Sequence, residues 1–492
     1  MKIINRRDAF KGLGILGATA MLPGLTAGGS TSRTAIVVGS GIAGLTAAWE
    51  LQAAGFAVSV FEKQHMAGGR MRMDWIGPIY RQVHAEEIWE GNAEMLDLAD
   101  TIGIADKFTI NQPDGPMEIP IPVNNGDGIY GVATRFHTTE ILNTPGFSNK
   151  LKQDLLTLLP DLAEIRETVD PCLLHTGAAW DDESLFDYLA RKLGREGAQR
   201  FTDDWVAPGW LWVWGQKAEE ASKIAMLSLV AQQNKRWINP PDIGLMTQTL
   251  ASMLDVKLNT TVMRITPPDG NGRHTIHYLT PDGRRTSVTP DVVVCATEGN
   301  YVLPMVQGLN DQQRSFFNRV HLGQFAFITY LIKKGHGPKT ILSNESGYTA
   351  SHPEYERQIS SIDWVAVPEG TGMEFLGTDH EGRAMVGSYL RDKEMTEWRE
   401  SGQSLSAYCL PTIQEGYPGL TLDLIDDVVV QGGDELVMFN TGLPSAMAEF
   451  IRAEEKEKHG LYFCGEYLSH AHTGAACASG RTVARTIATH WS

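Results

Sequence analysis

One stretch constrains this chain more than any other. Thr34 to Val38 is a short apolar run that ends in Gly39-Ser40-Gly41-Ile42-Ala43-Gly44. Leu45, Ala47, Ala48 and Leu51 then recur at helical spacing, and Gly55 closes that helix. Ala57 to Phe61 is β-branched and aromatic, so it reads as the next strand, closed by Glu62. The pattern is one β-α-β unit of ordinary size. Gly39 permits a tight turn, Gly41 a close approach of backbone to a bound group, and Gly44 close packing of helix on strand. The helix start offers unpaired N–H groups and the positive end of its dipole, which suits a pyrophosphate. Glu62 stands where a carboxylate accepts hydrogen bonds from both hydroxyls of a ribose. A GxGxxG alone says little. Between a strand and a helix, with an acid ending the next strand, it specifies a dinucleotide site.

Glu62 and Lys63 are followed, after a short loop, by Gly68-Gly69-Arg70. With this turn the chain resembles the superfamily of flavin amine oxidases, protoporphyrinogen oxidases and phytoene-type desaturases. There an acidic strand end precedes a GGR turn whose Arg lies along the FAD diphosphate. The resemblance implies FAD as cofactor, held by Gly39, Gly41, Ile42, Ala43, Gly44, Glu62, Lys63, Gly69 and Arg70. The fork of donors on Arg70 suits phosphates. Near the other end, Leu461 to Cys464 runs as a strand into Gly465-Glu466, and Gly474-Ala475-Ala476 opens a helix reaching about His490. This resembles the superfamily's closing motif and implies Gly465, Glu466, Ala475 and Ala476 as further flavin contacts. A helix N-terminus there points at the flavin ring in that superfamily.

Two central segments agree. Ile243-Gly244-Leu245-Met246 opens a helix over Thr247 to Leu254, ahead of a strand expected from Val256 to Ile265. By resemblance, Val262 touches the adenine through its backbone. Asp291 to Ala296 resembles the superfamily's third sheet strand. The expected fold is α/β, a Rossmann-like FAD-binding domain interleaved with an α+β substrate domain. Residues 30–135, 240–300 and 455–492 build the first domain, and residues 136–239 and 301–454 the second.

Candidates over the flavin are fewer. His472 falls where amine oxidases place an aromatic wall of the substrate cage. It either orients substrate or takes a proton, or it is a hydrogen-bonded structural histidine. His84 falls where the superfamily has a small Gly beneath the flavin. Trp205, Trp210, Trp212 and Trp214 either line a channel or pack between domains. Two departures stand out. Phe327 occupies the position of the lysine that holds a water near the flavin of amine oxidases, and Phe439 to Pro444 lacks their second cage aromatic, a Trp. Both favour a dehydrogenase or desaturase-like enzyme. No HExxH, GxSxG or GK[ST] motif occurs in a fitting context.

These features imply hydride removal from a small or medium organic substrate, at a C–N or C–C centre, with oxygen or a quinone-type acceptor. The alternatives are a CH–CH dehydrogenase, desaturase or protoporphyrinogen-oxidase-like enzyme, and a non-catalytic flavin-binding or electron-transfer protein. GGR and the closing motif argue against an NAD-binding protein. The 492 residues carry 59 acidic against 42 basic side chains, a formal charge of −17. That balance argues against nucleic acid, whose phosphates need Lys and Arg. The five cysteines are scattered and form no C-x-x-C, which argues against a disulfide framework or a metal site.

The N-terminus carries an address. Arg6 and Arg7 precede Phe10 and Lys11, and an apolar run with small residues spans Gly12 to Leu25. This reads as a twin-arginine signal peptide over residues 1–27, implying a periplasmic or exported protein that folds first in the cytoplasm. The run is too short for a stable membrane span.

Overall fold

The computed structural model describes residues 33–82, 88–89, 91–110, 120–124, 129–133, 149–202, 216–231, 237–239, 242–336, 363–366, 372–378, 381–416 and 419–492. The signal read over residues 1–27 lies outside the described residues.

Strand β1 (Thr34–Val38), helix α1 (Ile42–Ala53) and strand β2 (Ala57–Phe61) form the β-α-β unit. Helix α1 ends where Gly55, at φ +90°, turns the chain back. Helix α2 (Ala93–Thr101) follows. Further on, helix α3 (Leu245–Met253) leads into β3 (Val256–Lys257) and β4 (Thr261–Ile265). The single strand expected from Val256 to Ile265 is therefore two. Between them stands Asn259, the one non-glycine residue with positive φ among the described residues. Asn tolerates that left-handed backbone, and the chain turns there from one sheet into another.

Strands β5 (Ile276–Leu279) and β6 (Arg285–Val288) complete a three-stranded antiparallel sheet with β4. Next come β7 (Val292–Cys295), β8 (His321–Ile332), β9 (Asp363–Ala366), β10 (Gly372–Thr378), β11 (Ala384–Arg391) and β12 (Ile425–Met438). Helix α4 (Leu443–Glu454), β13 (Leu461–Phe463) and helix α5 (Thr473–Trp491) close the chain.

The central sheet has the order β3-β2-β1-β7-β13, with every pairing parallel. Val37, Val292, Val293, Val294 and Cys295 are fully buried, as a parallel sheet covered on both faces requires. Alternate residues part to opposite faces. Val37, Val60, Val292 and Val294 pack under α1 and α5 with Ala47, Leu51, Ala484 and Ile487. Val38, Phe61, Val293 and Cys295 face the opposite core with Phe317, Phe450 and Tyr467. Each such valine contributes roughly 1.5–3 kcal/mol on burial. Arg481 on α5 ties the helices together, pairing with Glu50 of α1 at 2.7 Å and with Glu94 and Asp97 of α2 at 2.6 Å each.

A second sheet is antiparallel, in the order β9-β10-β11-β8-β12. One face is covered by apolar residues of two helices, Met395, Leu405, Cys409 and Ile413 among them, packed on Ala326, Ile328, Tyr330 and Val386. Phe327 belongs to the other face. The chain from residue 301 to 454 supplies this sheet, while the parallel sheet draws on 30–135, 240–300 and 455–492. No helix among the described residues is long and apolar enough to cross a membrane.

Asp181 joins distant parts of this frame. Its carboxylate accepts from the Ser222 hydroxyl at 2.7 Å, from Gly442 N–H at 2.9 Å and from Ser445 N–H at 2.8 Å. The last two sit at the start of α4, where a buried negative charge meets the helix dipole favourably. Asp181→Ala is expected to cost roughly 2–3 kcal/mol, because three donors lose a charged partner at once. A lowered urea midpoint checks this. An unchanged midpoint would show the carboxylate to be dispensable.

Candidate functional site

The first glycine turn is built as its sequence predicts. Gly39 takes φ +105°, and its N–H donates to Phe61 O at 2.8 Å, which holds the turn across the ends of β1 and β2. A Cβ on Gly44 would lie 2.1 Å from Gly39 O and 3.0 Å from Ala296 Cβ, so helix and strand meet only because it is absent. The first intrahelical bond runs from Leu45 N–H to Gly41 O at 2.9 Å. The N–H groups of Ile42, Ala43 and Gly44 precede it and point out of the helix end. No acidic side chain occupies the first turn of α1. Around the Cβ position of Gly41 there is open space, with no atom within 4 Å.

The Gly68-Gly69-Arg70 turn docks on this loop. Gly68 N–H donates to Ser40 O at 2.9 Å, and a Cβ on Gly69 would stand 3.1 Å from Gly41 Cα. Both glycines have positive φ, +119° and +56°. Helix α3 clamps the turn from behind. Thr247 Oγ1 donates to Met71 O at 2.8 Å and Gln248 Nε2 to Ala67 O at 2.7 Å. Sequence reading placed this helix but missed both side chains as supports.

Glu62 is buried beside the loop. Its Oε2 accepts from Ser40 N–H at 2.9 Å and from the Ser40 hydroxyl at 2.6 Å, while Oε1 accepts from Gln64 N–H at 2.8 Å. Oε1 thus keeps lone-pair capacity for a further donor. Lys63 Nζ sits 4.5 Å from the centre of the Tyr301 ring. Val262 lies on β4 at a bulge, where the register with β5 shifts between Val262 and Arg264 and the ladder is interrupted.

The closing segment meets the GGR turn through an ion pair. Arg70 Nη2 lies 2.8 Å from Glu466 Oε2. Burial raises the Glu466 pKa, and the Arg70 charge opposes that rise. Glu466 Oε1 is buried with no hydrogen-bond partner. Gly465 holds φ +151°, and its N–H donates to Ser479 Oγ of α5 at 3.0 Å. Ala475 is fully buried, and Ala476 lies half-buried next to it. A Cβ on Gly480 would lie 2.2 Å from Ala43 O, so α5 crosses α1 backbone against backbone.

His472 caps α5. Its Nδ1 accepts from Ala475 N–H at 3.1 Å, so Nε2 carries the hydrogen and donates to Pro171 O at 2.9 Å. His470 is wired alike, with Ala471 N–H on Nδ1 at 2.7 Å and Nε2 on Ala225 O at 2.8 Å. Burial depresses both pKa values, His472 to about 4 and His470, which also feels His472, to about 3. Both ring nitrogens of His472 are thus engaged with backbone groups. His84, Trp205, Trp210, Trp212 and Trp214 lie outside the described residues. Phe327 is buried on β8, its ring over Gly387, where a Cβ would stand 2.3 Å from Cζ. Phe439 is buried with its ring 5.2 Å from that of His470.

Residues 42–488 match the family model for flavin containing amine oxidoreductases, and the chain belongs to that family. It is similar to protoporphyrinogen oxidase 2, chloroplastic/mitochondrial, of Arabidopsis thaliana, 32% identical over 178 residues, which are 36% of this chain and 32% of that one. The curated relatives are matched over 17% and 32% of their lengths. Among solved structures, a putrescine oxidase double mutant aligns with a TM-score of 0.64 at 16% identity, covering 93% of this chain and 99% of that one. Cyclohexylamine oxidase from Brevibacterium oxydans IH-35A aligns with a TM-score of 0.63 at 15% identity, covering 93% and 99%. At such identities the structures show a shared fold.

A flavin cofactor follows from the family, and the residues fit one. The open cradle at Gly41, the remaining capacity of Glu62 and the orphaned Glu466 Oε1 are what a bound dinucleotide would meet.

The two histidines set a pH dependence of stability. Unfolded histidine titrates near roughly 6.5. Below that pH the unfolded chain binds protons that folded His470 and His472 refuse, so stability is full above about 6.5 and falls towards about 4. His472→Asn keeps a capping acceptor and loses the titration. Urea midpoints from pH 7 to 4.5 are expected to fall less steeply in this variant, by about one proton. Parallel curves would show that folded His472 takes up its proton as readily as the unfolded chain does.

Proposed function

We propose that this chain is an FAD-dependent oxidoreductase that removes a hydride from a small or medium organic substrate. The observation that carries the reading is the family match over residues 42–488, laid on a site where two glycine turns and the start of α1 surround an open cradle. When bound, the flavin supplies a two-electron acceptor. The chain's own part is to hold and shield it. The N–H groups of Ile42, Ala43 and Gly44 receive the diphosphate, with Gly41 and Gly69 giving it room. Arg70 supplies the positive charge beside it. Glu62 Oε1 accepts from the ribose, Lys63 and the bulged backbone at Val262 border the adenine, and Gly465, Glu466, Ala475 and Ala476 line the ribityl and ring end. Hydride transfer needs positioning more than acid–base chemistry. His470 and His472 accordingly serve as fixed walls.

Oxidation at a C–N centre stands first, by analogy with the amine oxidases named above. A second reading, oxidation at a C–C bond as in a dehydrogenase, desaturase or protoporphyrinogen-oxidase-like enzyme, is favoured by Phe327. A buried aromatic there holds no water at the flavin. We further propose export by the twin-arginine route to the periplasm, on the strength of Arg6-Arg7 and the apolar run after them.

The test uses purified protein. Glu62→Ala is expected to weaken FAD binding at least roughly tenfold, read by flavin retained on ultrafiltration. Full retention would remove Glu62 from the site. After anaerobic reduction, Phe327 leads us to expect slow recovery of the flavin band in air and fast recovery on adding a quinone. Recovery in air within the mixing time would make oxygen the acceptor. A chain that takes up no flavin at all would overturn the reading.

A further inference from the structure

We infer that Arg72 and Asp74 are positioning residues for the cofactor's diphosphate, acting through the carbonyl of Gly69 on the turn that carries Arg70. The inference rests on the flavin reading above and extends it to a pair outside the residues assigned there. Gly68 and Gly69 hold φ of +119° and +56°. Glycine reaches many other conformations at little cost, so such a turn keeps one shape only if something holds it. Three side chains do so, on alternate carbonyls. Gln248 Nε2 donates to Ala67 O at 2.7 Å and Thr247 Oγ1 to Met71 O at 2.8 Å, both from α3. The middle carbonyl, Gly69 O, accepts from Arg72 Nη1. A trans peptide points its C=O and N–H in opposite directions. Where Ala67 O faces Gln248, Gly68 N–H accordingly reaches Ser40 O on the other side. Arg72 fixes the Gly69–Arg70 peptide in the same manner, and with it the root of the Arg70 side chain.

The rest of the guanidinium is committed to Asp74, on the strand Met73–Ile76. Nε and Nη2 each lie 3.2 Å from Asp74 Oδ2. Both side chains are sheltered, 13% and 14% exposed, so the pair is screened less than one in open water. Asp74 Oδ1 in turn accepts from Trp75 N–H at 2.8 Å and lies 3.6 Å from His65 Nε2. The start of α3 presses on the same place. A Cβ on Gly244 would stand 3.2 Å from Arg72 Cα and 3.3 Å from Met73 N. Arg72 thus spends its charge on a neighbouring carboxylate and an Nη1 hydrogen on backbone, so its part is geometric. Arg70, which pairs with Glu466 at 2.8 Å, is the charge on the turn that abuts the open cradle at Gly41.

Asp74→Ala separates positioning from direct electrostatics by sign. A carboxylate near a bound diphosphate repels it, so if the pair acted by charge, losing Asp74 would tighten FAD binding. If the pair acts through Gly69 O, losing Asp74 frees the Arg72 fork and FAD binding weakens. The full chains are stripped of flavin, checked for an unchanged far-UV circular dichroism spectrum, and titrated with FAD by quenching of flavin fluorescence. Asp74→Ala and Arg72→Met are each expected to bind FAD roughly tenfold more weakly. The double variant is expected to match Arg72→Met alone, because both changes release the same carbonyl. Equal or tighter FAD binding by Asp74→Ala, or losses that multiply in the double variant, would overturn the inference and leave the flavin reading intact. If the wild-type chain binds no FAD, both fall. Should Asp74→Ala fail to fold, Asp74→Asn decides by the same sign, since it removes the charge and keeps a weaker acceptor for the fork.

Discussion

Everything in this site depends on backbones that touch where side chains would keep them apart. Gly44 meets Gly39 O, Gly69 meets Gly41 Cα, and Gly480 meets Ala43 O, each too close for a Cβ to fit without displacement. These contacts join segments from both ends of the chain around one helix N-terminus. A methyl group at Gly44 or Gly480 would push α1 away from β7 or from α5. The N–H groups at the start of α1 can be presented to an anion only because the three contacts hold them in place. Glycine is costly in a helix, by roughly 1 kcal/mol relative to Ala. Gly44 and Gly480 stand inside helices regardless, since packing outweighs propensity there.

Around this frame the polar groups divide into two kinds. Some are satisfied within the protein. Arg481 has three carboxylates, Asp181 has three donors, and His470 and His472 are bonded on both nitrogens. These fix the helices. Others are buried and incomplete, Glu466 Oε1 among them. Glu466 has a charged partner on one oxygen only. A buried ion pair holds together at the expense of desolvation, and further hydrogen bonds make it favourable. A ligand hydroxyl on Oε1 would supply such a bond, so cofactor binding and the stability of the Arg70–Glu466 pair are coupled.

The β-α-β unit, the GGR turn and the closing strand and helix were legible in the sequence because each carries a local pattern with a local cause. Glycines mark the turns, and apolar periodicity marks the strands and helices. What was not legible depends on distance along the chain. The break of the expected strand falls at Asn259, between Leu258 and Thr260 in a run that announces no turn. His472 read equally well as catalytic or structural. Its partner Pro171 lies 301 residues away, a contact that no local pattern announces.

The wiring of the histidines also bears on how pH profiles of this protein are to be read. A histidine acting as a base must accept a proton on a free nitrogen near its working pH. His470 and His472 accept backbone N–H bonds on Nδ1 and donate from Nε2, so protonating either one breaks a bond at the start of α5. Their folded pKa values, about 3 and about 4, lie well below ordinary histidine. What these two histidines contribute to a loss of activity between roughly pH 6.5 and 4 comes through stability, from the unfolded chain's greater proton uptake. It would follow the loss of stability and appear with any substrate. An acid limb that changes with the substrate, by contrast, would belong to the substrate's own ionisation, as for an amine that must be neutral to give up a hydride.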